Sequence, residues 1–179
     1  MQTVGFDAKL KHGQMGESLI ARWLKSKGWA VLPVYEVEIG TGKGPRLFTP
    51  QRQLAAPDML IYKANKALWI EAKHKTAFSL HRKTGQWVTG IDIRHYEHYC
   101  AIEDESPWPV WLLFLQRGGK AKDSPDESPA GLYGNELRAL RLTESHRWSQ
   151  YGHGGMVYWA EFSLKRLATL EELLTGDRP

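Results

Sequence analysis

Asp58, Glu71 and Lys73 are the residues of this 179-residue chain whose types and spacing could do chemistry together. They fall within residues 54–75, LAAPDMLIYKANKALWIEAKHK, where two short apolar runs, Met59–Tyr62 and Leu68–Ile70, flank a polar quartet, Lys63-Ala64-Asn65-Lys66. That pattern predicts a hairpin. If Ala64 and Asn65 form a two-residue turn, cross-strand partners sum to 129 and Asp58 lies opposite Glu71. Asn65 suits the left-handed backbone such a turn needs and Ala64 does not, so a slipped register is the alternative. Like charges directly across a sheet repel, and two carboxylates set face to face are positioned to hold a cation. Strand alternation puts Glu71 and Lys73 on the same face and turns Ala72 away. Asp58 and Glu71 are hard oxygen ligands suited to Mg²⁺ or Mn²⁺, with the Ala72 carbonyl and water completing the shell. Two carboxylates, an ammonium and such a metal are the equipment for hydrolysing a phosphodiester. The competing reading is an ordinary strand face with a surface Glu–Lys pair, which leaves the Asp58–Glu71 juxtaposition unexplained.

The surrounding composition agrees with a polyanionic ligand. Net charge is only +4, but residues 63–94 hold seven Lys/Arg against two acids, Glu71 and Asp92. Residues 97–127 reverse this, with seven acids against three Lys/Arg. The basic excess therefore surrounds the paired carboxylates; a solvated basic surface is the plainer account. No apolar run has the length of a membrane span, and the N-terminal residues lack a signal-peptide core, so the expected compartment is reducing cytoplasm. With Cys100 as the only cysteine, intramolecular disulfides and cysteine-rich zinc sites are excluded.

The elements that must position these residues follow from periodicity and punctuation. Met15, Leu19, Ile20, Trp23 and Leu24 repeat at helical spacing, predicting a helix over Gln14–Lys27 that Gly28 terminates. Trp29–Val37 reads as a strand, interrupted by Pro33. Ile39–Gln53 reads as a loop whose GTGKGPR fails as a phosphate-binding P-loop, because Val37 and Gly44 stand where glycine and Ser/Thr are required. Thr76–Gly90 reads as a polar loop, and Thr89 with Asp92 as a capping box for a helix over Ile91–Glu103. Pro109–Leu115, PVWLLFL, is a continuous apolar run suited to a sheet centre. Residues 116–131 read as a mobile excursion, and Leu132–Trp148 as helix or strand. Met156–Phe162 reads as a strand and Leu164–Leu174 as a C-terminal helix. The whole, residues 1–179, is expected to form one α/β domain with a sheet flanked by helices.

Pro57-Asp58, twelve intervening residues, then Glu71-Ala72-Lys73 resembles the signature of the PD-(D/E)XK nuclease superfamily. Gly16-Glu17 on the preceding helix looks like the acidic residue that many members contribute, archaeal Holliday-junction resolvases among them. The resemblance covers residues 14–115. It implies a restriction-endonuclease-like mixed central sheet flanked by helices and Mg²⁺-dependent hydrolysis of DNA. It makes Asp58, Glu71, Lys73 and Glu17 catalytic, with Glu17 a further metal ligand or simply solvent-facing. DNA is the implied partner, no membrane is, and a homodimer is compatible with it. Lys73 would orient water or offset transition-state charge. Lys75, His81, Arg82, Lys83 and Trp87 have the composition of a phosphate-backbone contact with a stacking surface; the alternative is a surface loop with Trp87 packed on the core. His95 and His98 are too few for zinc, and His95 or Tyr96 would face the site. The expected activity is a sequence-unspecific or structure-selective endonuclease. Its rivals are a non-catalytic nucleic-acid-binding protein on the same fold and a sequence-specific restriction enzyme.

Overall fold

A computed structural model describes residues 6–34, 44–121, 124, 126–149 and 154–175, with side chains from residue 15 onward. The fold is α/β: a mixed central sheet flanked by helices, with a second, smaller sheet packed on one side. Helix α1 (Phe6–Ser26) begins earlier than its apolar stripe suggests. It ends at Gly28, whose φ of 83° lets the Trp29 amide bond back to the Leu24 carbonyl at 3.1 Å.

Strand β1 (Ala30–Pro33) is shorter than the run to Val37 had suggested, and residues 35–37 lie outside the described residues, as do 39–43 of the loop after it. Pro33 is tolerated because β1 is an edge strand. A small β2 (Arg46–Phe48) and β3 (Gln53–Ala55) ribbon leads into the hairpin of β4 (Met59–Lys63) and β5 (Lys66–Lys75). Its register is Met59 with Ile70, Leu60 with Trp69 and Lys63 with Lys66, so partners do sum to 129. The turn departs from expectation in detail: Ala64, not Asn65, takes the positive φ, 51°. The polar loop expected over Thr76–Gly90 is instead a second hairpin, β6 (Ser79–His81) and β7 (Gln86–Asp92).

Helix α2 (Ile93–Glu105) is capped by Asp92, whose carboxylate accepts from the Arg94 amide at 2.8 Å. The expected cap Thr89 lies inside β7, buried, accepting from the Gln116 side-chain amide at 3.0 Å. Strand β8 (Val110–Gln116) runs parallel to β5 at the sheet centre, covered on both faces. Residues 119–120 (β9) and 127–128 (β10) pair within the predicted excursion, of which 122, 123 and 125 lie outside the described residues. Then follow β11 (Gly131–Glu136), α3 (Leu137–Arg141), β12 (Glu144–Ser149) and β13 (Gly155–Ala160).

The expected helix over Leu164–Leu174 is replaced by β14 (Lys165–Ala168), which pairs with β11, and the short α4 (Leu170–Thr175). The leucine spacing reads as helix, but an open sheet edge offers β14 a ladder, and Thr169 starts the helix late. Its hydroxyl accepts from the Glu172 amide at 3.1 Å while the Glu172 carboxylate accepts from the Thr169 amide at 2.7 Å. The pair is a capping box, Thr169-x-x-Glu172.

The central sheet runs β1-β4-β5-β8-β11-β14, and the second β12-β13-β7-β6. One core lies between the central sheet and α1 and α4, with Ile20, Leu24, Ile70, Ala72 and Leu113. The other lies under α2, α3 and the second sheet, with Trp69, Tyr99, Phe114 and Trp159. Alternation along β5 therefore sends Ala72 toward α1 and Glu71 and Lys73 toward α2.

Candidate active site

The β4–β5 ladder stops at Met59, and this creates the site. Beyond that point the Ala72 amide has no strand partner on the β4 side, and the Asp58 side chain takes its place, accepting from the Ala72 N–H at 2.7 Å. Asp58 is thereby fixed next to Glu71 on the α2 face. Glu71 is 1% exposed. The Lys73 ammonium stands against its Oε1 in an ion pair, yet neither oxygen of Glu71 completes a well-directed hydrogen bond. A buried carboxylate in that condition has coordination capacity to spare.

Glu17 reaches the same cluster from the other layer. Residues 71–75 of β5 have no β4 partner, so α1, packed on the opposite face, can extend a side chain around that open edge. Gly16 sets the approach: a Cβ there would lie 2.5 Å from the His74 Cβ, so only glycine lets the helix sit this close. Gly16→Ala is expected to push α1 off β5, cost about 1–3 kcal/mol in denaturant unfolding, and withdraw Glu17. A variant as stable as the parent would show that this contact does not hold the helix.

The electrostatics record the crowding. Burial, then the Glu71 charge, pushes Asp58 up to about 8, against the pull of Lys73 and the Ala72 amide; Glu17 adds to the rise. Burial also raises Glu17, with Lys73 opposing and Glu71 reinforcing. Burial works against the Lys73 ammonium, but Glu71, Asp58 and Glu17 overcome it and hold its pKa above the ordinary range. Three carboxylates around one ammonium leave the cluster short of positive charge.

Two further groups join from β5 and α2. Lys75 is pushed down to about 8 by burial and by Lys73. His95, and not Tyr96, turns toward the cluster: burial and the Lys73 charge lower its pKa, while Glu71 raises it. Tyr96 points the other way and donates its hydroxyl to Glu144. One turn beyond His95, buried Tyr99 lies with its phenol against the Glu71 carboxylate; burial first, then Glu71 and Asp58, raise its pKa well above the ordinary value. Tyr99 carried no motif in the sequence; its only signal was sharing a helix face with His95. His98 is structural, accepting from the Ala55 amide at 2.9 Å.

The other sequence candidates do not converge here. His81, Arg82 and Lys83 lie at the β6–β7 turn of the second sheet. Trp87 is half-buried against the core, so it is packing material and not a free stacking surface.

The donor set fits a hard divalent cation. Among the described residues no three His, Cys, Asp or Glu side chains converge closely enough to chelate a metal unaided. Asp58 and Glu71 supply neighbouring carboxylate oxygens, the donor type that Mg²⁺ accepts with few protein ligands.

Neither the protein-family models nor the curated proteins compared with the chain gave a match. Solved structures that superpose on it include two nucleases. One is the Holliday junction resolvase Hjc of Archaeoglobus fulgidus, at 11% identity over 84% of this chain and 90% of that one, with a TM-score of 0.48. The other is D212, a nuclease from a fusselovirus, at 14% identity over 98% and 93%, with a TM-score of 0.41. No described helix is long and apolar enough to cross a membrane.

Proposed function

We propose that this protein is a divalent-metal-dependent nuclease of the PD-(D/E)XK type that hydrolyses DNA phosphodiesters, sequence-unspecifically or by DNA structure. The observation that carries the reading is the buried Glu71 carboxylate, paired with Lys73 and flanked by Asp58 and Glu17. A surface ion pair would have no reason to be buried among two more carboxylates, because desolvating like charges is costly without a cation to offset them.

Asp58, Glu71 and the Ala72 carbonyl would hold Mg²⁺ or Mn²⁺, with Glu17 at its outer edge. When bound, the metal supplies Lewis-acid stabilisation of phosphoryl oxygen charge and a more acidic water. Lys73, kept cationic by its acidic neighbours, orients the attacking water or offsets negative charge on the phosphate as it becomes pentavalent. Tyr99 lines the site with its phenol against the Glu71 carboxylate. Lys75 and His95, at the same mouth, draw in the phosphate backbone.

The direct test is incubation of duplex, single strand, nick, flap, four-way junction and RNA with Mg²⁺ and then with EDTA. Cleavage of DNA that EDTA abolishes is expected; no cleavage of any substrate overturns the reading. The β6–β7 turn is read through salt dependence. Each phosphate neutralised contributes about −0.9 to the slope of log K against log salt. Replacing Arg82 and Lys83 with Ala is expected to weaken binding to all sequences and make that slope shallower by up to about two. Unchanged affinity and slope would remove the turn from the DNA path.

A further inference from the structure

The second sheet carries an aromatic stack that the catalytic cluster does not use. His81, His146 and Tyr158 lie ring on ring. The centroids of His81 and His146 are 4.1 Å apart with planes inclined by 13°, and those of His146 and Tyr158 are 4.6 Å apart at 7°. The rings come from β6, β12 and β13, and β6 and β12 are the opposite edges of the sheet. Its outer face is therefore curled into a groove that the side chains of both edges bridge.

The groove is built in detail. Gly90 lies beneath Tyr158: a Cβ there would sit 2.9 Å from the Tyr158 ring and 2.2 Å from the Val157 carbonyl oxygen, so glycine is what lets the phenol lie down on the sheet. The imidazoles are oriented through their Nδ1 atoms, which are hydrogen-bonded with the Thr84 hydroxyl (2.9 Å) and the Ser145 hydroxyl (3.1 Å). Trp148 stands on the rim with an indole that is 52% exposed. Lys83 lines the groove, and so does Arg147, whose guanidinium is tied to the Glu144 carboxylate at 2.9 and 3.0 Å; among the described residues no Asp or Glu lines it. Burial, and then the proximity of His81, lower the pKa of His146 from its ordinary value.

Flat π-faces with the Lys83 cation beside them and, among the described residues, no lining carboxylate are complementary to one ligand chemistry, a base with its phosphate. We propose that the outer face of the second sheet binds unpaired nucleotides of the nucleic acid, bases stacking on Trp148 and on the outermost imidazole, His81, which His146 and Tyr158 support from beneath, phosphates against Lys83. This deepens the nuclease reading and rests on it: the favoured substrate is a duplex carrying single-stranded arms.

The test is the affinity, in EDTA, of the full chain for a blunt duplex and for the same duplex with single-stranded arms carrying 2-aminopurine. Trp148→Ala alters an exposed side chain, so the fold is retained. It is expected to lose roughly tenfold or more in affinity for the armed substrate and little for the blunt one, and to abolish the quenching of 2-aminopurine seen with the parent. His146→Ala is expected to act in the same direction. Equal losses for both substrates, or unchanged affinity and quenching for the armed one, overturn the proposal. If the parent cleaves duplex with Mg²⁺ while Trp148→Ala binds arms normally, this inference falls and the nuclease reading stands. If arm binding depends on Trp148 but no nucleic acid is cleaved, the nuclease reading falls instead.

Discussion

Glu71→Gln is expected to lower metal-stimulated DNA cleavage by on the order of 10²–10³-fold, the scale of removing one electrostatic stabiliser from a water-excluded site. Glutamine preserves the shape of a side chain that is 1% exposed, so the change isolates charge from packing. Lys73 remains cationic beside Asp58 and Glu17. DNA affinity should be equal or higher, because a negative charge facing phosphate has gone. A fall in rate without a fall in affinity is the signature of an interaction made in the transition state. Near-parental cleavage by Glu71→Gln sinks the site assignment, and a parallel loss of affinity would reassign Glu71 to holding the fold.

The second large effect is a pH-dependent stability that a divalent cation reverses. Asp58 is pushed up to about 8 by burial and by Glu71, whereas an unfolded Asp titrates near 4. Between those values the folded protein keeps a proton that the unfolded chain has released. The Asp58 contribution to metal-free stability therefore falls as pH rises through that window and levels off above it. Each unit is worth about 1.4 kcal/mol at most, and because Asp58 is only part-buried, screening reduces the total to roughly 1–3 kcal/mol. Asp58→Asn retains an oxygen for the Ala72 amide and removes a charge beside Glu71 and Glu17. It is expected to flatten the pH dependence, raise Tm in EDTA above pH 7, and lose cleavage. Mg²⁺ should raise the Tm of the parent more at pH 8 than at pH 6, because binding must displace the Asp58 proton at the lower pH. Calorimetry across pH 5–9 with and without Mg²⁺ checks this; a flat metal-free profile, or identical profiles for parent and variant, refutes it.

Such a site exchanges stability for function, as buried like charges commonly do. The same trade explains why Lys73 sits within the acidic cluster and not at its rim. In metal-free protein its ammonium is the cation that the carboxylates share.

The sequence by itself determined the parts of this site that depend on near neighbours. Pairing across the β4–β5 turn follows from a two-residue loop and a period of two, so Asp58 beside Glu71, and Glu71 in phase with Lys73, could be read before any coordinates. The end of α1 at Gly28 and the buried centre strand β8 were legible for the same reason: backbone freedom and unbroken apolar character are properties of the local chain. What tertiary structure alone decided involves residues far apart in sequence. Glu17 belongs to a helix on the opposite face and enters the cluster only because β4 stops short and Gly16 allows contact with His74. Tyr99 meets Glu71 because α2 crosses over β5 on the way to β8, and His81 meets His146 because the second sheet curls its two edges together. The helix forecast over Leu164–Leu174 failed on the same ground, since the edge of β11 offered β14 hydrogen bonds that no local pattern reveals. Side-chain periodicity fixes which face a residue occupies, but which faces meet depends on the packing of whole layers and on where each ladder of hydrogen bonds runs out.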